Sequence, residues 1–521
     1  MTKVHHVNTT DLRAAIELGC RTMQNVFNAD DNNIPFFGSR VRPEARLSFS
    51  WAHSESHVPG RHLNALLNAE DALGLAIDED AVEKHAQAAR FSYSGALPFP
   101  LNRQEVGGPL VNLLTHNIRE GFHALYALTR FRQSSWAREV AAASIAAIND
   151  YWHPVHGWDR TRLEEEHGLK LIDSTFIVGL ARALGPLVKF YRATGYDPAL
   201  ALALQIKEKL IHEFFRADGA YNRATFGTHT HSTTCVMSSL AQLADLTQDA
   251  GLMERVRTFY DNGLWQIRDE LGWVVEVSSD EADPDKGECN NTGDIVETAL
   301  ILGRWGYPQY YHDAERIVRS HLLPAQLRDI SFIENPPNPT LEDGKRDVAE
   351  RHLGAFGFPA PYGHEPVDAN HVSFNMDIVG GAVASLCEVY RAVASFDKAG
   401  HWVNLLFDYE TDAIEVESPY THPALRVRIK RPAPLFVRIP PWVDPQQIAV
   451  GGVAARSQFT NTYLFIAEPP LNRWITVAFP LATQTLTLHH RTRDIRVRLQ
   501  GDAVAAMENF GADLTFFAAI D

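Results

Sequence analysis

The sequence predicts an array of paired helices followed by an antiparallel β-sandwich. Up to about residue 395 the apolar residues recur with the period of a helix, and after Gly400 they alternate with polar residues as in strands. Four helix–turn–helix segments repeat along the first part, at 119–148, 181–211, 236–264 and 294–323. Such hairpins bury their apolar faces on their neighbours. An array of about twelve helices can close into an (α/α)6 barrel, although an open solenoid fits the same periodicity.

Further segments complete both parts of the chain. Residues 11–28 and 60–77 supply helices before the first hairpin, and residues 380–394 supply one after the last. The strands are predicted from period-2 alternation between Pro, Gly and Asn residues, in the segments 425–442, 462–468, 474–480 and 493–500. We therefore predict a barrel domain over residues 1–398 and a β-sandwich domain over residues 399–521.

Composition and charge exclude several classes of partner. The chain has 521 residues and a formal net charge of -16, which would repel nucleic acids and anionic membranes. It contains no apolar run of the roughly 18 residues that cross a bilayer. The first twenty residues lack the apolar core of a secretory signal, so we expect a cytoplasmic or an already processed chain. The oligomeric state is left open, a homo-oligomer included.

Common cofactor motifs are missing from the sequence. The four cysteines, Cys20, Cys235, Cys289 and Cys387, show no CxxC spacing, so neither a disulfide framework nor a four-cysteine zinc site is indicated. GxGxxG, P-loop and GxSxG patterns are also missing, which disfavours nucleotide and α/β-hydrolase chemistry. We therefore expect no cofactor and no metal.

Reactive side chains concentrate in the segments that join one helix pair to the next. In a barrel these loops gather at one end and can form a pocket. The segments that stand out are 50–62, 114–121, 226–234, 274–289 and 361–377. We predict that substrate-binding residues come from them, namely Trp51, His57, His116, His229, His231 and Asn290.

Each of these residues also has a plain structural interpretation. His53 and His57 could be solvated loop residues, His116 could cap or pack against a helix, and Trp51 could belong to the core. His229 and His231 flank Thr230, so we expect them to point to opposite sides, with one of them in the pocket.

Three carboxylic acids are the candidate catalytic residues: Glu288, Asp294 and Asp377. Asp294 and Glu297 fit a capping box at a helix start, and Asp377 has the same capping alternative. Glu288 lies in irregular sequence, where burial could raise the pKa of its carboxyl. A helix N-terminus favours an ionised carboxylate, so Asp294 or Asp377 suits the base or nucleophile and Glu288 suits the acid.

Acids, histidines, asparagines and aromatic residues without a phosphate cradle suit chemistry on a carbohydrate. Glycoside hydrolysis needs one carboxyl that donates a proton and a second that attacks or activates water. One alternative is a lyase acting on a uronate-containing sugar, with Arg61 and Arg119 holding the substrate carboxylate. Another alternative is a sugar-binding protein without catalytic activity, and a further one is a sugar isomerase, an activity that also occurs on (α/α)6 barrels.

The chain resembles glycoside hydrolase family 127, the bacterial β-L-arabinofuranosidase type, in the order of its segments over roughly residues 110 to 510. The resembling helical segments are 113–129, 228–249, 287–327 and 383–393. The segments 402–407, 435–442, 474–480 and 497–504 resemble strands of the family's sandwich. The resemblance implies an (α/α)6 barrel of the six-hairpin type followed by a β-sandwich, and His116 and His229 as sugar contacts.

The sequence departs from the family at its catalytic cysteines. Family members carry a Cys-Cys pair that supplies the nucleophile and a zinc ligand, and this pair falls on Phe374 and Asn375 here. Alignment on Cys289 places the family's glutamate at Gly287, with Glu288 one position away. A zinc site needs at least three protein ligands. We therefore predict carboxylate acid/base chemistry in place of the zinc–cysteine mechanism.

Overall fold

A computed structural model describes residues 11–172, 174–278, 285–367, 369, 371–454, 457–460, 462–489 and 493–520. Residues 279–284 of the predicted loop 274–289 lie outside the described residues. Among the helices that are described, none combines the length and apolar character needed to span a membrane.

The first part of the chain is helical. The described helices, in chain order, are α1 (Leu12–Met23), α2 (Val58–Leu73), α3 (Glu79–Ser92), α4 (Ile118–Arg132), α5 (Ser135–Tyr151), α6 (Arg160–His167), α7 (Leu184–Thr194), α8 (Asp197–Glu213), α9 (Arg223–Phe226), α10 (Thr230–Thr247), α11 (Ala250–Asp261), α12 (Cys289–Arg304), α13 (Gln309–Ile317), α14 (Val348–His352) and α15 (Ile378–Ala392).

An inner ring of helices closes the barrel. Within the described part of the chain, α2, α4, α7, α10, α12 and α15 each pack on the next, and α15 packs back on α2. That last contact decides between barrel and solenoid, because an open array would leave both terminal helices without it. Outside this ring α1 packs on α15 and α2, while α3, α5, α8, α11 and α13 each pack on the preceding inner helix. The predicted (α/α)6 barrel is confirmed.

Inner and outer helices differ as their positions require. The inner helix α12 is buried on nearly every side, whereas the outer helix α5 buries one stripe, including Ala137, Ala141, Ile145 and Ile148. A glycine allows two helices of the ring to pack closely. A Cβ atom at Gly60 of α2 would lie 1.8 Å from the backbone oxygen of Glu120 in α4, so another residue here would force the two helices apart.

Short strands that the sequence pattern did not predict lie between the helices. They are β1 (Gly38–Arg40), β2 (Arg46–Ser48), β3 (Asn102–Arg103), β4 (Leu110–Leu114), β5 (Trp152–His153), β6 (Gly157–Trp158) and β7 (Lys170–Ile172). Each has two to five residues, which is too short for a periodic signal.

The second part of the chain is a β-sandwich, as predicted. Its strands are β8 (Ala394–Asp397), β9 (Gly400–Val403), β10 (Tyr409–Glu410), β11 (Ile414–Glu417), β12 (Leu425–Ile429), β13 (Leu435–Arg438), β14 (Ala449–Gly451), β15 (Gln458–Thr460), β16 (Tyr463–Ile466) and β17 (Ile475–Ala478). One sheet has the order β10-β11-β12-β17-β14 and the other β15-β16-β13-β9-β8. All neighbours are antiparallel except β9 and β13. Alternate residues such as Leu425, Val427 and Ile429 face the shared core.

A further antiparallel sheet follows the sandwich and packs on the barrel. It consists of β18 (Thr483–Leu488), β19 (Ile495–Gln500) and β20 (Ala503–Met507). Its apolar residues Leu488, Val497, Leu499 and Val504 belong to the apolar core of the barrel. The predicted division at residues 398 and 399 falls between β8 and β9 and stays a prediction.

Buried ion pairs also join the two parts. Glu315 of α13 accepts hydrogen bonds from Arg319 (3.0 Å), from the Leu406 amide (3.1 Å) and from Arg438 of β13. Glu315, Arg319 and Arg438 are almost completely buried. The buried carboxylate of Glu315 therefore pairs with one guanidinium group from each side of the junction.

Candidate active site

The N-terminal ends of the inner helices meet at one end of the barrel and carry polar side chains. Five N-cap positions hold His57, Asn117, His229, Glu288 and Asp377. In the part of the chain that the structure describes, none of these side chains makes the hydrogen bond that would cap its own helix. They contact one another and their neighbours instead, so the capping alternative for Asp377 does not apply.

His57 joins two of the inner helices. Its Nε2 lies 3.0 Å from Oδ2 of Asp377 at the start of α15, and its Nδ1 lies 3.0 Å from Oδ1 of Asn117 at the start of α4. Burial alone would raise the pKa of Asp377. The hydrogen bond and charge of His57, with the charge of Arg61, nevertheless hold the pKa of this carboxyl below its ordinary range. Asp377 is therefore ionised at neutral pH.

A buried carboxylate lies behind His57. Glu120 is completely buried, and its Oε1 lies 3.3 Å from Nε of Arg61, 3.0 Å from Nη1 of Arg119 and 3.4 Å from Nη2 of Arg182. Burial opposes its ionisation, but the charges of His57, Arg182 and Arg119 hold the pKa of Glu120 well below its usual value. The lyase alternative expected Arg61 and Arg119 to hold the carboxylate of a substrate. In the structure their guanidinium groups contact the carboxylate of Glu120.

His53 and His116 face each other across the same end of the barrel. Their Nε2 atoms are 3.1 Å apart, and the ring of Phe37 stacks on His53 with centroids 4.1 Å apart. Burial lowers the pKa of His53 to about 3 and the pKa of His116 well below its ordinary value. Both imidazoles are therefore neutral at physiological pH.

Glu288 precedes α12 and is buried in the same region. Its Oε1 accepts a hydrogen bond of 2.6 Å from Nδ2 of Asn290 and lies 3.4 Å from Nδ1 of His231. Burial raises the pKa of Glu288 to about 8, and the charges of Glu276 and Asp377 act in the same direction. The carboxyl is therefore mostly protonated at neutral pH.

The structure corrects the position of Asp294. Helix α12 begins at Cys289, so Asp294 belongs to its second turn and does not cap it, and the capping-box interpretation with Glu297 is wrong. Asp294 accepts a hydrogen bond of 2.9 Å from Thr234 and lies 4.0 Å from Arg119. Burial raises the pKa of Asp294 to about 7, which contradicts the expectation that a helix start keeps it ionised. Below the N-terminal cluster, Asp294 lines a polar cavity inside the barrel.

His229 and His231 lie on the same side, contrary to the prediction. Their ring centroids are 5.9 Å apart, and both rings approach Glu288. The prediction assumed strand-like alternation, but His229 is the N-cap of α10 and His231 lies in its first turn, where successive side chains do not alternate between two faces. Nδ1 of His229 lies 2.8 Å from Oγ of Ser232, which fixes its ring.

Trp51 does not join this cluster. Its side chain is 42% exposed, and none of its contacts within the described residues connects it with the histidines or acids above. The position of the family's cysteine pair is also occupied differently, because Phe374 is buried in the core. The other predicted residues lie together at one end of the barrel, as expected from their positions in the loops: Asn290, His57, His116, His229 and His231 with Glu288 and Asp377.

Sequence reasoning missed Asn117, Glu120 and Arg182 as members of the site. Asn117 and Glu120 lie in the segment 114–121, which was recognised as a loop rich in reactive groups, and they flank the start of α4. Arg182 lies in a short 3-10 helix, Leu180–Ala183, before α7. Its sequence context, "GLARALG", is apolar and offers no signal of a functional loop.

Two groups of side chains have the composition and spacing of metal ligands. In one, nitrogen atoms of His53, His57 and His116 lie within 4.8 Å of one another. In the other, atoms of His229, His231 and Glu288 lie within the same distance. Imidazole and carboxylate groups are ligands of divalent transition metals.

Solved structures share the fold at low sequence identity. A GH127 beta-arabinofuranosidase is 14% identical with a TM-score of 0.58, over 94% of this chain and 79% of that chain. A GH127 beta-L-arabinofuranosidase from Geobacillus stearothermophilus T6 is 13% identical with a TM-score of 0.56, over 94% and 80% of the two chains. A structure described as a glycoside hydrolase is 12% identical with a TM-score of 0.55, over 92% and 84%.

These similarities confirm the resemblance at the level of the fold. No protein-family model matches the chain, and no curated protein matches it. The function must therefore be argued from the site.

Proposed function

We propose that the chain is a glycoside hydrolase in which Glu288 is the general acid and Asp377 is the base or nucleophile. The observation that carries this proposal is the opposite ionisation of two buried carboxyls at the N-termini of neighbouring inner helices. Burial raises the pKa of Glu288 to about 8, and contact with His57 lowers the pKa of Asp377. Two carboxyl groups whose environments separate their pKa values are the usual acid and base of this reaction.

Each carboxyl suits its role chemically. A protonated Glu288 can donate its proton to the glycosidic oxygen as the bond to the anomeric carbon breaks. An ionised Asp377 can attack that carbon or remove a proton from an attacking water. The N-terminus of α15 and the hydrogen bond from His57 stabilise its negative charge before reaction.

The polar neighbours of the two acids suit recognition of a small or oligomeric carbohydrate. His116, His229, His231 and Asn290 surround the acids and offer hydrogen-bond donors and acceptors for sugar hydroxyls. Asp294 lies 3.5 Å from Nε2 of His231 and can fix the orientation of that ring. We therefore assign Asp294 a positioning role and Asp377 the role of base or nucleophile.

Thiolate chemistry has little support among the described residues. All four cysteines are buried and free, and burial raises the pKa of Cys289 and of Cys20 to about 12. A protonated thiol is a poor nucleophile. The carboxylates remain the reactive groups that the geometry favours.

The test begins with a panel of aryl and natural glycosides, followed by variants on the best substrate. We expect Glu288→Gln and Asp377→Asn each to lower kcat by about 10²–10⁴, the usual contribution of a general acid or base. The matched control is Glu139→Gln, an exposed residue on α5. The product anomer, followed by NMR, will distinguish a retaining from an inverting mechanism.

Three results would overturn the proposal. Turnover near the wild-type value in both variants would remove these residues from the reaction. An unsaturated uronate product, detected by its ultraviolet absorbance, would establish a lyase. Tight sugar binding without turnover on any glycoside would establish a binding protein.

A further inference from the structure

The arrangement of His53, His57 and His116 assigns a second chemistry to this end of the barrel. We infer that these histidines, with Asp377 beside them, form a binding site for a divalent transition-metal ion. The inference goes beyond the proposed hydrolysis and does not rest on it. It also differs from the sequence analysis, which expected no metal.

Two contacts at this end of the barrel have the separation of neighbouring ligands of one ion. Nε2 of His53 and Nε2 of His116 are 3.1 Å apart, and Nε2 of His57 is 3.0 Å from Oδ2 of Asp377. Neighbouring ligands of an ion with bonds of about 2.0–2.1 Å are themselves about 3.0–3.4 Å apart. The ligand nitrogen atoms of His53, His57 and His116 all lie within 4.8 Å of one another, so small movements would place these three atoms around one ion.

The outer nitrogen atoms of two rings are already anchored. Nδ1 of His53 lies 3.0 Å from Oγ of Ser50, and Nδ1 of His57 lies 3.0 Å from Oδ1 of Asn117. Asn117 donates its amide hydrogens to the Ala52 oxygen (2.6 Å) and to Oγ of Ser56 (2.7 Å), so its oxygen must face His57. These contacts hold the rings by Nδ1, as is usual for histidines that bind a metal through Nε2. Nε2 of His57 would give up to solvent the hydrogen that it donates to Asp377 when an ion binds, because a ligating imidazole is neutral.

The surroundings supply negative charge and rigidity. Asp377 and Glu120 both lie within 3.6 Å of the His57 ring, and their carboxylates offset the charge of a cation. Phe37 stacks on His53 and contacts the edge of His57, which limits rotation of both rings. A site that is held in place before binding loses less entropy when the ion binds.

The other group of candidate ligands is less suited to a cation. Nη2 of Arg61 lies 3.4 Å from Nε2 of His231, so that nitrogen faces a positive charge. If Nε2 accepts from Arg61, then Nδ1 carries the hydrogen and points at Glu288, at 3.4 Å. A cation bound through Nε2 of His231 would lie beside the guanidinium group of Arg61, whose positive charge opposes it. The three-histidine group is therefore the stronger site.

The donor set selects the class of ion. Imidazole nitrogen binds zinc, cobalt, nickel, copper and iron, whereas magnesium and calcium prefer oxygen ligands. We expect the full chain, freed of metal with a chelator, to bind one Zn²⁺ or one Co²⁺ per chain and to show no comparable affinity for Mg²⁺. Elemental analysis after dialysis measures the stoichiometry, and the visible spectrum of Co²⁺ reports nitrogen coordination.

Variants identify the ligands. His53→Ala and His116→Ala should each weaken zinc binding at least about 100-fold, and Ser50→Ala should weaken it about 10-fold through loss of the outer contact. His229→Ala, at the same end of the barrel but outside the group, is the matched control and should bind zinc as the wild type does. If an alanine variant does not fold, as judged by its thermal unfolding, His53→Gln and His116→Gln replace it.

Two outcomes would overturn the inference. One is no zinc binding by the folded wild-type chain. The other is zinc binding that survives His53→Ala and His116→Ala or that is lost in His229→Ala. Because the readout is metal content, it is independent of whether any glycoside is hydrolysed.

Discussion

Glu288 and Asp377 occupy the N-cap positions of adjacent inner helices, and the charge of Asp377 is one cause of the raised pKa of Glu288. Burial raises this pKa most, and the charge of Glu276 has a larger effect than the charge of Asp377. We expect Asp377→Asn and Glu276→Gln each to lower the pKa of Glu288, because each removes a nearby negative charge. NMR titration of the labelled carboxyl measures the shift without any assay of activity. An unchanged or higher value in both variants would contradict the coupling.

The same pKa fixes the alkaline limit of the proposed reaction. A general acid must be protonated, so kcat/KM should fall as the pH rises through about 8, the value to which burial raises the pKa of Glu288. In Glu276→Gln this limb should move to lower pH. A pH–rate profile on one good glycoside, recorded for the wild type and for Glu276→Gln, measures the position of this alkaline limb in each protein. A rate that continues to rise above pH 9 would exclude Glu288 as the acid.

Glu288 should also make folding stability depend on pH. Its pKa is raised above the ordinary value of 4.5 to about 8, so the folded state binds the proton more tightly than the unfolded state. The stabilisation is complete at pH values below the ordinary pKa and is lost as the pH rises through about 8. We therefore expect Glu288→Gln to gain stability relative to the wild type between about pH 5 and pH 9. Urea unfolding across this range tests the sign, with the exposed substitution Glu139→Gln as the control.

We expect the buried carboxylate of Glu120 to contribute strongly to the free energy of unfolding. Glu120→Gln would leave Arg61, Arg119 and Arg182 without the buried carboxylate that they share. Removing one side of a buried ion pair costs about 3–5 kcal/mol. The control is Glu17→Gln, whose pairing with Arg13 is about half exposed and should contribute less than about 1 kcal/mol. Equal losses in the two variants, measured by chemical denaturation, would refute the role of Glu120.

The junction between barrel and sandwich offers a similar test at Glu315. Glu315→Ala removes the partner of Arg319 and Arg438 in a fully buried position, and we expect a loss of about 3–5 kcal/mol. Because Glu315 also accepts from the Leu406 amide, both parts of the chain should lose stability together. Calorimetry should show one transition that moves to lower temperature. A variant in which only one of two transitions moves would show that the parts unfold independently.

Periodicity in the sequence was sufficient for the fold class but not for the closure of the barrel. Helical hairpins and period-2 strands are local patterns, and both were predicted near their observed positions. The contact of α15 with α2 joins residues that are about 300 positions apart, and no local pattern reports it. The alternation in residues 493–500 likewise predicted a strand with one buried face, but it could not show that this face packs on the barrel.

The site was partly predictable because its residues precede helices. His57, His116, His229, Glu288 and Asp377 come from loops that a closed ring must bring together. The start of α12 was placed too late, because "CNNTG" contains residues that disfavour helix interiors, and tertiary packing overrides that preference. Arg182 could not be found at all, since only the fold brings it to Glu120.

The sheet β18–β20 lies after the sandwich in the chain and yet its apolar face packs on the barrel as part of the same apolar core. In a nascent chain that has emerged only as far as α15, the barrel residues that will pack on Val497 and Leu499 therefore still lack these partners. Ten sandwich strands must leave the ribosome before these barrel residues can be covered. We therefore expect the helical part to complete its packing only after the late strands have been synthesised, and apolar surface that is exposed during this interval favours aggregation.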